Sequence, residues 1–498
     1  MRVNTQEVHV VMTGSSLYNK DFAPVPPANR TWGIWNIAAI WIGMAVCIPT
    51  YMLAGSLVKE GMNWWQALLT ILLGNLIVLI PMILNARAGT TYGVPFPVLI
   101  RSSFGTRGAV LAALLRGLVG CGWFGIQCWI GGEAIYQLLL QILPNLADSL
   151  YLGGFIDLNI AQASSFLLFW LLNIWVIYRG ISTIRRLESW AAPFLLLLGL
   201  ALLIWAWQKV GSIASILEAS NRLTGQSDGD FWTIFWPSLT GMVGFWATLS
   251  LNIPDFTRYA RNQKAQVWGQ IVGLPATMVL YSFIGIAVTS ATLLIFGEAI
   301  WNPVKLLGRF SHPLMIIVAM FGLSLATLST NIAANVVASA NDIANISPKR
   351  ISFRMGGYIT ALVGILIFPW KLVADPHGFI FVWLIGYSAL LGAIGGIMIC
   401  DYYLVRKTRL NVAALFDSQG AYRGWNAPAW IALCFSLIPV LPGFLVEIGL
   451  VSSVSPLWSA LYSYAWFLTF FLAFGIYWGC ARYKSIQSQE GRKASYSR

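Results

Sequence analysis

The chain is 498 residues long, and 58% of its residues are apolar while only 10% are charged. Soluble domains carry roughly 25% charged residues, so this composition excludes a soluble enzyme or binding module. Lys and Arg number 31 against 18 Asp and Glu, a net charge of +13, which would suit a polyanionic partner if the basic residues were clustered on one face.

Met1–Arg30 is polar and lacks the apolar core of a cleavable signal peptide, so residues 1–32 read as a tail. A helix crosses the hydrocarbon core with about 20 predominantly apolar residues. Twelve such stretches follow, at about 33–57, 64–86, 108–141, 164–179, 187–208, 231–252, 267–297, 313–340, 356–374, 378–404, 428–447 and 458–481. Residues 483–498 form a second polar tail, and no stretch of soluble-domain length remains. The predicted fold class is all-α integral membrane with twelve transmembrane helices.

Alternating spans with both termini cytoplasmic put 24 Lys and Arg on inner segments, including Arg101, Arg185, Arg186, Arg406 and five at the C-terminus. Outer loops then hold only 6, and Arg116 stays inside the third span. That split obeys the positive-inside rule. The basic excess is therefore topology, and no nucleic-acid partner is expected. The expected partners are the lipid bilayer and a small heterocyclic molecule; no partner protein can be named.

Two spans share a breaker at comparable depth, Ile48-Pro49 in the first and Ile253-Pro254 near the end of the sixth. Proline removes a backbone bond and frees carbonyls. In transporters built from two five-helix inverted repeats, the first and sixth helices are the interrupted pair. The five-span offset fits that plan, with repeats at about 33–208 and 231–404 and peripheral helices at about 428–481; an ordinary kink in each span is the alternative.

The third span reads Gly120-Cys-Gly-Trp123-Phe-Gly125-Ile-Gln127-Cys-Trp129-Ile-Gly-Gly-Glu133. Trp123 and Gln127 are four apart and share a helix face. An indole offers a flat π surface and a carboxamide offers a donor and an acceptor, which together suit a planar heterocycle with N–H and C=O groups. Tryptophans also pack at interfaces, and this chain has 24 of them. Gly122 and Gly125 would admit a neighbouring backbone. In the sixth span, Trp246 offers a second aromatic face.

The eighth span carries Ser329, Thr330, Asn331 and Asn335 in otherwise apolar sequence. Hydrocarbon satisfies neither hydroxyls nor amides, so these groups must face protein, ligand or water. Asn335 supplies another amide to a ligand, while Ser329 and Thr330 suit a hard cation that prefers oxygen. Bonding back to the i−4 carbonyl is the alternative for each hydroxyl. Glu133 and Glu188 lie near span ends, and Asp255, Asp342 and Asp401 sit at inner boundaries where pairing or capping is expected. A proton-relay role for Glu133 remains open. Cys47, Cys121, Cys128, Cys400, Cys434 and Cys480 form no CxxC pair and the three histidines are scattered, so neither a disulfide framework nor zinc is indicated. A membrane enzyme acting on lipid would need acidic clusters at one interface, and none appears in the sequence; no enzyme activity is expected.

Several segments are similar to the nucleobase:cation symporter-1 family. They include Leu17-Tyr-Asn19-Lys-Asp21-Phe-Ala-Pro24, Tyr92-Gly-Val-Pro95-Phe96, Arg101-Ser-Ser-Phe-Gly105 and Trp123-Phe-Gly-Ile-Gln127. Asn252-Ile-Pro-Asp255-Phe, Asn331-Ile-Ala-Ala-Asn335, Pro369-Trp370 and Asp401-Tyr-Tyr403 follow in the same order. The resemblance implies a LeuT-like 5+5 inverted repeat plus two peripheral helices, and symport with a sodium ion or a proton and no other cofactor. It implies a ring stacked between Trp123 and Trp246, with Gln127 and Asn335 reading its polar edge. It places sodium on main-chain oxygens of Gly43, Val46 and Ala326 and the side chains of Ser329 and Thr330. Cys47 stands where relatives often carry an amide, and Phe245 replaces a glycine of hydantoin carriers. Both departures reshape the substrate pocket. Trp383–Gly392 and Gly55–Gln66 most resemble uracil and purine carriers of plant plastids and their bacterial relatives. The expected function is import of a nucleobase by alternating access, uracil first and purines next, with allantoin or hydantoin as the alternative. A bacterial inner membrane is the expected location.

Overall fold

The computed structural model describes residues 14–154, 156–179, 181–222 and 231–496, with backbone alone for 181–190 and 484–496. Glu188, Arg185, Arg186 and the basic residues from Lys484 onward therefore lie outside the described side chains, as do Arg2 and the rest of the first thirteen residues. Almost everything described is helical. A two-stranded antiparallel pair, Tyr151–Leu152 with Leu158–Asn159, sits in the loop after the third span.

Among the described residues, nine helices are long and apolar enough to cross a bilayer, and two bent pairs bring the number to eleven if each is one span. The first pair is α1 (Ile34–Ala45) and α2 (Ile48–Lys59), inclined at 58°. Next come α3 (Trp64–Tyr92), the short buried α4 (Phe96–Phe104), α5 (Gly108–Ile142), α6 (Ile160–Arg179) and α7 (Ile181–Val210). The second bent pair is α8 (Phe231–Phe245) and a segment beginning with α9 (Ala247–Asn252) and running to Thr257, inclined at 42°. Then follow α10 (Gln263–Phe296) and α11 (Pro313–Asn331), which continues through a π turn (Ile332–Val336) into α12 (Val337–Ala344). The chain ends with α13 (Phe353–Leu366), α14 (Ile385–Cys400), α15 (Ala427–Leu437) and α16 (Ala465–Tyr496).

Two expectations need correction. The break in the sixth span falls at Trp246, not at Ile253-Pro254. Pro254 occupies the first position of a final turn, Pro254–Thr257, where its missing N–H has no intrahelical partner to lose. The ninth span is also shorter than its apolar stretch. α13 has 14 residues, about 21 Å at 1.5 Å per residue, and stops before Phe368. Pro369 disfavours helical backbone at Phe368, which adopts φ 54° and ψ 60°.

Without water between them, helices in a bilayer associate by close packing. α10 lies against α1, α2 and α3, while α5 lies against α6, α11 and α13. A Cβ added at Gly125 would come within 2.3 Å of the Gly364 carbonyl oxygen, so α5 and α13 meet backbone to backbone. A Cβ at Gly122 would fall 2.1 Å from the Trp383 ring, which brings the approach to the tenth span. The buried core runs through the middle of this bundle and contains Trp41, Trp123 and Trp246. Large apolar side chains such as Leu171, Trp175 and Phe321 face outward, as lipid contact requires.

Candidate substrate and cation site

The first-span break supplies backbone at mid-membrane. α1 ends at Ala45, Val46 takes φ −79° and ψ 81°, and Cys47 is extended at φ −145° and ψ 161°. Ile48-Pro49 then opens α2, the position where proline is tolerated. Among the described residues, the carbonyls of Gly43 and Val46 accept no backbone N–H across this break. Oxygen lone pairs left in this way are what a half-helix end offers a cation.

Opposite the break, α11 presents Ser329 and Thr330, both buried. Ser329 Oγ has no hydrogen-bond partner among the described residues, so it does not bond back to its own helix. Ala326 is buried one turn earlier. Asn331 proves structural: its Nδ2 lies 3.2 Å from the Phe124 carbonyl, 3.5 Å from Cys128 Sγ and 3.2 Å from Asn173 Oδ1. Asn335 lies within the π turn, where the widened helix alters side-chain direction.

These elements line a partly open cavity of about 40 Å³. Its lining brings together Cys47, Trp123, Gln127, Phe245, Trp246 and Asn335, together with Thr330. Gly43, Val46, Ala326 and Ser329 are not in the lining, although Met44, Cys47 and Thr330 beside them are. Phe245 meets Trp123 edge-on at 5.2 Å and 81°, and meets Trp246 at 5.0 Å and 90°. Trp41 braces Trp246 from behind at 5.3 Å. Gln127 Oε1 and Trp246 Nε1 are buried without a partner among the described residues, one an acceptor and the other a donor. Other buried polar atoms, Asn75 Oδ1 and Gln270 Oε1 among them, also lack a partner among the described residues, so it is the position of these two on the cavity that suits them to a ligand.

Sequence reasoning missed Tyr387 of α14. The Trp123 indole N–H donates to its hydroxyl at 3.2 Å, and that hydroxyl donates to the Gly244 carbonyl at 2.8 Å. Tyr387 thereby ties the third span to the sixth just before its break. The contact spans 264 residues, and no local pattern signals it. Met44, Pro49, Thr248, Leu249 and Ala334 complete the lining and were equally silent.

The acids behave otherwise. Asp342 pairs with Arg116 at 3.1 Å, both buried, and Arg116 also donates to Asn252 Oδ1 at 3.0 Å. Asp255 accepts the Phe96 amide at 2.8 Å, which anchors α4. Asp401 accepts from Arg406 Nε at 2.7 Å and Tyr477 Oη at 2.6 Å, with Ser102 and Ser103 at 3.2 Å. Glu133 is buried and accepts from Gln137 Nε2 at 3.0 Å.

Two broken spans at five-helix offset, facing a membrane-deep cavity with unpaired polar atoms, define a multi-pass membrane transporter of the LeuT-like fold. The comparisons with known proteins narrow the class. The permease family for cytosine/purines, uracil, thiamine and allantoin matches residues 24–469, and the chain belongs to this family, the nucleobase:cation symporter-1 permeases. It is 47% identical to a purine-uracil permease of Arabidopsis thaliana over 96% of this chain and 79% of that one. It is 38% identical to an allantoin permease of Bacillus subtilis, covering 93% and 92% of the two chains. The inward-facing structure of Mhp1 superposes with a TM-score of 0.77 at 25% identity over 95% of each chain. Closed Mhp1 with bromovinylhydantoin bound gives 0.74 at 25% identity, over 94% of this chain and 96% of that one.

Proposed function

We propose that this permease is a secondary active symporter that imports a planar nucleobase, uracil first and purines next, and catalyses no covalent reaction. The observation that carries this reading is the cavity itself: aromatic faces from Trp123 and Trp246, with an unpaired acceptor on Gln127 and an unpaired indole N–H. A flat ring with N–H and C=O groups matches both features. Identity to the Arabidopsis purine-uracil permease supports uracil over other rings. Allantoin or a hydantoin is the second reading, favoured by the Bacillus relative and by the ligand of closed Mhp1.

In this reading Trp123 and Trp246 stack the ring, Gln127 and Asn335 bond its polar edge, and Cys47 and Phe245 shape the far wall. The main-chain oxygens of Gly43, Val46 and Ala326 and the hydroxyls of Ser329 and Thr330 hold a sodium ion. The unpaired Ser329 Oγ supports that set. Proton coupling is the alternative. Repeats at about 33–208 and 231–404 rock about the cavity while 428–481 stays peripheral. Both termini are cytoplasmic, and a bacterial plasma membrane is the host. Cation binding raises substrate affinity, and by linkage substrate raises cation affinity by the same factor.

The test is uptake of radiolabelled uracil into proteoliposomes under an imposed sodium gradient and, separately, a proton gradient. Adenine, guanine, cytosine, allantoin and benzylhydantoin serve as competitors. Accumulation above equilibrium under one gradient is expected, and it names the cation. No accumulation and no competition by any ring would sink the substrate reading.

A further inference from the structure

The polarity of the cavity is decided outside it. The two ends of a side-chain amide have nearly the same shape, and the surrounding hydrogen bonds decide which end is which. Asn173 of α6 donates from Nδ2 to the Phe169 carbonyl at 2.9 Å, which leaves its Oδ1 for α11. That oxygen accepts from Asn331 Nδ2 at 3.2 Å, and the same amino group is 3.2 Å from the Phe124 carbonyl. Both neighbours are acceptors, so Asn331 turns its amino group to them and its Oδ1 the other way. Asn335 Nδ2 donates to that oxygen at 2.9 Å. A main-chain carbonyl cannot become a donor. Two of them therefore fix three amides in one direction, and Asn173 and Asn331 have no solvent exposure that would let water substitute.

The consequence lies at the cavity wall. Asn335 lines the cavity with one N–H of its amino group given to Asn331, and its Oδ1 makes no hydrogen bond among the described residues. It meets a ligand as an acceptor. Gln127 is different: among the described residues its Oε1 has no partner and no hydrogen bond anchors its amide, so it can reverse to suit a ligand. The Trp246 indole N–H is a donor by its chemistry. The site thus has one fixed acceptor, one fixed donor and one adaptable amide.

We propose that the relay Asn173–Asn331–Asn335 fixes the Asn335 edge of the substrate site as a hydrogen-bond acceptor, so that the cavity selects ureide rings presenting a lactam N–H there. Asn173 and Asn331 are positioning residues that act through Asn335. This inference rests on reading the cavity as the substrate site. It adds that the donor and acceptor order of the ring, rather than its outline alone, governs recognition. A relay broken at Asn331 releases Asn335 to rotate and offer either end, whereas loss of Asn173 leaves Asn331 held by the Phe124 carbonyl.

The experiment measures binding of uracil and its two ring-oxygen isosteres, in which O replaces N1–H or N3–H, to the purified protein. These probes keep the ring's size and remove one donor each. At least one isostere is expected to bind the wild-type protein about tenfold or more weakly than uracil, because Asn335 Oδ1 would then face an acceptor. Gln127 adapts to either probe, so the loss reports on Asn335. In Asn331→Leu the ratio between uracil and that isostere is expected to shrink several-fold, while Asn173→Leu keeps the Phe124 anchor and retains most of the ratio. Equal binding of uracil and both isosteres to the wild-type protein would overturn the proposal, and that measurement needs no variant to fold. An unchanged ratio in the folded Asn331→Leu variant would also overturn it. Uracil that does not bind the wild-type protein overturns the substrate reading instead. Hydantoin against oxazolidine-2,4-dione then makes the same comparison, with equal binding again overturning the relay. Failure of every ureide to bind overturns both.

Discussion

Two populations of polar groups at membrane depth contrast. Around the central cavity, Gln127 Oε1, Trp246 Nε1 and Ser329 Oγ are buried and unpartnered. Elsewhere in the bundle, charges far costlier to bury are closely paired: Asp401 collects four side-chain donors, and Arg116 binds both Asp342 and Asn252. The difference separates function from architecture. A buried charge persists only when paired and hydrogen-bonded, so these paired charges hold helices together. A buried neutral group left unpaired weakens the fold modestly, and that deficit is made good when a ligand arrives.

Substitutions sharpen this contrast. Arg116→Met should have the largest effect on stability, a loss of about 3–5 kcal/mol, because Asp342 would remain buried without its partner. Thermal unfolding of the purified protein measures it, and the double variant Arg116→Met/Asp342→Leu should recover most of the loss; if the double variant is no more stable than the single one, the pairing argument fails. Trp123→Ala and Asn335→Ala should each abolish uptake while membrane insertion persists, and normal transport in both would remove the cavity from the mechanism. Gln127→Leu sets the two populations directly against each other. Uptake should drop about tenfold or more, yet stability should stay level or rise by up to about 1 kcal/mol as an unpaired acceptor disappears.

The remaining tests are smaller. Thr330→Ala should weaken stimulation by sodium while leaving substrate binding in its absence, read from uptake at graded sodium concentrations. Glu60 caps α2 outside the spans. Burial, aided by Asp375, raises its carboxyl above the ordinary 4.5, against the pull of His377 and Lys59. A raised carboxyl disfavours the folded state only when ionised. The wild-type protein should therefore lose a little stability as pH rises from 4.5 through the folded value. Glu60→Gln should match wild type below pH 4.5 and exceed it by a few tenths of a kcal/mol at neutral pH. Identical pH profiles for the two proteins would contradict this.

Much of the site was legible because of the solvent. Hydrocarbon satisfies no hydroxyl or amide, so Gln127, Ser329, Thr330 and Asn335 stand out in apolar sequence before any fold is known. The same logic marked Asn331, which turned out to be spent on Phe124, Asn173 and Asn335. Polarity at depth announces that a partner exists, not whether the partner is protein or ligand. Pro254 misled for a related reason: a proline breaks a helix only where it removes a bond, and here it begins a turn.

By itself, then, the sequence determined the class: apolar spans, the interrupted first helix and polar residue types at depth, with a charge asymmetry from which an orientation is expected. Those follow from local rules, a hydrophobic length and a charge asymmetry that each segment obeys alone. Only the tertiary structure decided where the sixth span breaks, that Tyr387 bridges Trp123 and Gly244, and which end of Asn335 meets the cavity. Each of these depends on atoms brought together from distant parts of the chain. The direction of an amide is fixed by its neighbours in space, and no periodicity in one dimension records them.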